Sequence, residues 1–138
     1  MRLKGSEIIN MAIYNKYGLI AIQAAKDGVN PERSWSNATI KIYKTISSQK
    51  KGCPKNAFLG LCEEGLVKGI KPGVYLKNSV ANLNKQYALI SVALLKTNPN
   101  LSRKELWIKV EEKLKINKSH NSQMDVVLAL WDKHLIAI

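Results

Sequence analysis

Apolar residues recur at three- and four-residue steps through most of the chain, the period of helices with one buried face. In residues 6–27 the stripe is Ile9, Ile13, Tyr17, Ile20 and Ala24. It predicts a first helix capped by Ser6, kinked or broken at Gly18 and ended by Gly28. Asn30 and Pro31 then open a second helix that turns Trp35, Ala38 and Ile42 inward. Asparagine suits the N-cap, and proline the first helical position. Residues 45–52 read as a polar loop. A third helix starts at Cys53 and Pro54, buries Phe58, Leu61 and Cys62, and stops at Gly65. In residues 66–76 two short apolar runs flank Lys71, Pro72 and Gly73. That pattern predicts one short β-hairpin.

The same order then returns. Tyr87, Ala88, Leu89 and Ile90 match Tyr17, Gly18, Leu19 and Ile20, and Lys96 falls on Lys26. Trp107 falls on Trp35 once the turn is lengthened. Ser102 takes the place of Asn30 and forms a capping box with Glu105. After a second polar loop, Leu128, Leu130 and Leu135 fall on Leu59, Leu61 and Leu66, and Asp132 on Glu63. The expectation is a mainly α protein of two tandem three-helix repeats, residues 1–77 and 78–138, packed as one compact unit. The alternative is that two amphipathic stretches share leucines by chance.

Composition narrows the class. Of 138 residues 46% are hydrophobic, enough to bury a core without staples. Lysine and arginine number 22 against 10 acidic residues, a net charge of +12. Such an excess works against compaction and attracts polyanions: nucleic acid, an acidic protein partner or an anionic membrane surface. Only Arg2, Arg33 and Arg103 are arginines. Lysine acts as a mobile point charge, so the balance favours phosphate attraction over reading of base edges. An AT-rich coding sequence would give the same lysine bias. Cys53 and Cys62 are too few for a disulfide framework, which suggests a reducing cytoplasm. No signal peptide or membrane-spanning run is expected. A duplicated unit can mimic a dimer within one chain, so a monomer is expected.

Each half resembles the three-helix core of the winged-helix and helix-turn-helix superfamily. Asn100-Leu101-Ser102-Arg103-Lys104-Glu105-Leu106-Trp107 resembles the LS-x-x-EL opening of the second helix in many bacterial regulators. Residues 121–130, followed by Trp131-Asp132-Lys133-His134-Leu135-Ile136, resemble a recognition helix with its L-x-x-x-G-L-I exit. The first half carries that exit as Leu61-Cys62-Glu63-Glu64-Gly65-Leu66-Val67 and continues into a wing over residues 68–76. The chain departs from the pattern in three ways. His134 stands where glycine is usual, no wing follows the second exit, and the loop before each third helix is long.

The resemblance implies DNA binding by the N-terminal end of each third helix and its lysine-rich loop. Those residues are Ser48, Gln49, Lys50, Lys51, Lys55 and Asn56 in the first half. In the second they are Lys118, His120, Asn121 and Gln123, with Lys68 and Lys71 on the wing. Asparagine and glutamine can pair with adenine edges, and serine and lysine with phosphate. Glu63, Glu64 and Asp125 would repel phosphate, though Asp125 can close a cap with Ser122. The alternative is a protein-interaction module that binds an acidic partner.

Chemistry is a weaker theme. Cys53, beside lysines at a helix start, is the one candidate nucleophile, with His120 as a conceivable base. Cys53, Cys62, His120 and His134 lack familiar zinc spacing. The expectation is a non-enzymatic protein without cofactor or metal. Trp35, Trp107 and Trp131 read as core anchors.

Overall fold

The computed structural model describes residues 13–138. Helix α1 spans Lys16–Asp27 and is capped by Asn15, whose side chain accepts the Tyr17 amide. The helix therefore starts well after the beginning of the apolar stripe; Ser6 and Ile9 lie outside the described residues. Gly28, at φ 73°, ends it as the sequence suggests. Gly18 does not break it. A Cβ there would lie 2.5 Å from the Tyr14 ring and 2.9 Å from the Ala129 Cβ, so close packing is what requires glycine.

Asn30 caps α2 (Pro31–Ile42) by accepting the Arg33 amide. The expected polar loop contains one helical turn, α3 (Ile46–Gln49), capped by Thr45. Helix α4 spans Gly52–Glu63 and α5 spans Leu83–Thr97 from its cap Asn82. Helix α6 (Arg103–Leu114) begins with the capping box of Ser102 and Glu105. Helix α7 spans Gln123–Asp132. None of these helices is long and apolar enough to cross a membrane.

The β-hairpin expected over residues 66–76 is absent. Val67 pairs antiparallel with Ile136 instead. The Lys68 amide donates to the Leu135 carbonyl and the Ala137 amide to the Leu66 carbonyl, both at 2.8 Å. The stretch that should have returned as a second strand is held by Glu63. Its carboxylate accepts the amides of Tyr75 and Leu76, each at 2.7 Å, and its carbonyl accepts that of Gly73 at 3.3 Å. Amides committed in this way cannot also form a ladder.

The Val67–Ile136 pair joins matched positions, since Leu66 corresponds to Leu135 and Val67 to Ile136. Both exits turn through the left-handed region, Gly65 at φ 72° and His134 at φ 57°. The returning bonds also match: Leu66 to Leu61 at 3.0 Å, and Leu135 to Leu130 at 2.8 Å.

The halves interleave. Helix α1 packs on α2 and on α7, while α5 packs on α4, α6 and α7. The first helix of each half therefore lies against the last helix of the other. One apolar cluster runs through both, with Ile20, Trp35, Phe58 and Leu61 from the first half and Tyr87, Leu95, Leu106 and Leu130 from the second. Trp35 and Trp107 are buried in it. Trp131, expected inside, is half-buried and lines surface grooves with Pro99.

Candidate nucleic-acid interface

The loop before each third helix ends in a small cationic and aromatic stack. In the first half the Lys51 ammonium lies 5.3 Å from the centre of the Tyr17 ring. Tyr17 meets Tyr43 at 4.8 Å, and the Lys16 ammonium lies 5.7 Å from the Tyr43 ring. In the second half Lys118 stands 5.7 Å from Tyr87, the match of Tyr17. Tyr87 meets Trp107 edge-on at 5.2 Å, and Trp107 meets His120 at 5.9 Å. A cation held over a ring face is attracted by the ring's negative quadrupole. It stays close to its place while its outer side faces water.

Both loops are tied to the start of α1. The Tyr17 hydroxyl donates to the Ser48 carbonyl at 2.8 Å. The Asn15 amide donates to Asp125 at 2.9 Å and its side chain to the Ser122 hydroxyl at 3.0 Å. Tyr43 feels Asp125 as well: burial first, then Tyr17 and Asp125, push its hydroxyl up to about 12.

The two third helices differ from the others at their starts. The N-caps of α1, α2, α3, α5 and α6 all make side-chain bonds. Lys51 before α4 and Ser122 before α7 make no side-chain bond to the amides of their own helix. Uncapped amides at a helix start favour an anion. The first turn of α4 contains no acid, whereas that of α7 contains Asp125. The matching ends are therefore electrostatically unequal.

The sequence-derived site residues divide on this geometry. Lys50 is exposed, and Lys51 and Asn56 are half-buried around the α4 start. Ser48 offers no free carbonyl, and its hydroxyl accepts from Thr45 at 2.9 Å. The Gln49 side chain donates through its Nε2 to the Tyr43 carbonyl at 2.8 Å. Lys55 is paired with Glu32 at 3.3 Å. Lys118 and His120 are exposed, and Asn121 is half-buried with its amide on the Gln123 side chain. Gln123 is buried and bonded to Asn84 at 3.0 Å, so it faces away from any base edge. Asp125 does not close a cap with Ser122; it pairs with Arg103. Lys68 and Lys71 are exposed but lie beyond the C-terminal end of α4, away from Lys50 and Lys51.

Lys16, Tyr17, Tyr43, Tyr87 and Trp107 were not among the sequence-derived site residues. The Tyr17–Tyr87 match was the available signal. Glu63, read from sequence as a charge that repels phosphate, is buried under Lys85 at 2.9 Å. Cys53 is half-buried near the α4 start, and Cys62 is fully buried, where burial pushes its thiol up. Among the described residues, no three or more histidine, cysteine or acidic side chains gather to hold a metal ion.

No curated protein and no solved structure matches the chain. Residues 11–137 match the model of a family of unknown function, DUF6979, and the chain belongs to that family.

Proposed function

We propose that the chain is a non-catalytic nucleic-acid-binding protein, with DNA the first ligand to test, and that it grips the phosphate backbone as a monomer. The observation that carries this proposal is the start of α4, where uncapped amides and an acid-free first turn are flanked by Lys50 and Lys51. Lys16 on the adjoining stack and Lys118 in the other loop extend the positive surface. Few acids oppose it, because Glu32 and Asp125 each pair with a cation and Glu63 and Glu64 share Lys85. The cysteines are both free, which fits a reducing compartment, and we place the protein in the cytoplasm on that ground.

Fluorescence anisotropy with random duplex DNA at two salt concentrations tests this. Affinity is expected to fall steeply with salt, because each phosphate contact releases counterions. Lys50→Gln with Lys51→Gln should weaken binding to all sequences roughly tenfold and reduce the logarithmic salt slope by about 2. No binding at low salt overturns the proposal. An acidic protein segment would seek the same cations, so poly-glutamate that binds while DNA does not would favour that partner.

A further inference from the structure

The second loop differs from the first in what it leaves open. In the first half α3 and Tyr43 fill the space beside the second helix, fastened by the bonds to Tyr17 and Gln49. In the second half residues 116–121 carry no helix. The loop stands off α6, propped where the Trp107 indole donates to the Lys118 carbonyl at 2.9 Å. A groove of about 700 Å³ remains, lined by Lys104, Trp107, Ile108, Asn117, Lys118 and His120 among others. That volume suits a small flat ligand.

We infer that this groove receives an unpaired nucleotide of a single-stranded nucleic acid, with its base against Ile108 and the His120 ring and its phosphate at Lys104 and Lys118. The inference rests on the proposed nucleic-acid binding and gives it a substrate class. Three observations favour it. Ile108 is 43% exposed between Lys104 and Glu112, so an apolar surface lies open on a charged helix face. His120 is exposed and meets Trp107 at a steep angle rather than face to face, and an exposed aromatic ring can stack on a base. Lys104 and Lys118 stand at the rim. The acid there, Glu111, is turned to the Lys118 amide at 3.2 Å, and Arg103 is committed to Asp125. A duplex hides the faces of its bases, whereas a single strand offers them.

The test compares anisotropy of labelled oligo(dT) and of a duplex of equal length at low salt. Oligo(dT) is expected to bind tighter by about tenfold, the worth of one stacked base. The uncharged Ile108→Asn should remove that margin and leave duplex binding unchanged, and His120→Ala should reduce it. Both positions are exposed, and unchanged far-ultraviolet circular dichroism verifies the fold. Lys50→Gln with Lys51→Gln should weaken both ligands alike. Equal affinity for the two ligands, or a margin that survives Ile108→Asn, overturns the groove assignment and leaves nucleic-acid binding in place. No binding of either ligand overturns both.

Discussion

Burial alone would raise the pKa of Glu63, because a desolvated carboxylate is costly. Hydrogen bonds from Ser79, the Leu76 amide, Lys85 and the Tyr75 amide outweigh that cost and hold its carboxyl down to about 2. Lys85 is desolvated too, and its bonds to Glu63 and Glu64 raise its pKa above the ordinary range. The acid's contribution is therefore fully present above an ordinary value of 4.5 and is lost as pH falls towards 2. In urea melts between pH 7 and pH 2, Glu63 should account for at most about 3 kcal/mol of the stability lost in that window. In Glu63→Gln that dependence should flatten, at a cost of about 3 kcal/mol at neutral pH, since Lys85 loses its main partner. Glu32 bears on the proposed function instead. Glu32→Gln frees Lys55, and if the start of α4 holds phosphate, DNA affinity should rise roughly threefold with little change in stability.

At the scale of elements, local sequence spoke clearly where the deciding contact is local. Asn30, Ser102 with Glu105, and Gly28 act within a turn of themselves, and each stands where its residue type suggests. The hairpin failed for the opposite reason. Its turn residues are real, but the amides of Tyr75 and Leu76 go to Glu63, a dozen positions earlier. Lys55 and Gln123 were read as free site residues because their partners, Glu32 and Asn84, are remote in sequence. Gly60 has the same character. In mid-helix, alanine would normally gain about 1 kcal/mol over glycine. A Cβ on Gly60 would lie 2.6 Å from the Lys85 Cβ and 2.9 Å from its Cα. Backbone cannot yield as a side-chain tip can, so Gly60→Ala should lose about 2 kcal/mol, read as a lower urea midpoint.

For the whole molecule, the interleaving of α1 with α7 and of α4 with α5 ties the fate of each half to the other. Residues 1–77 alone lack the surface that covers α1, and residues 78–138 alone lack the one that covers α5. Separately produced, the two pieces should show little helical circular dichroism. Mixed, they should recover it as a one-to-one complex. Independent folding of either piece would contradict this prediction.

The reciprocal bonds between the two exits leave no slack. Inserting or deleting a single residue beside Val67 or Ile136 would rotate that side chain from the interior to water, because neighbours along an extended strand face opposite ways. Chain length at this seam is therefore held more tightly than composition: an apolar replacement of similar volume keeps the side chain inside, whereas a one-residue change in spacing does not.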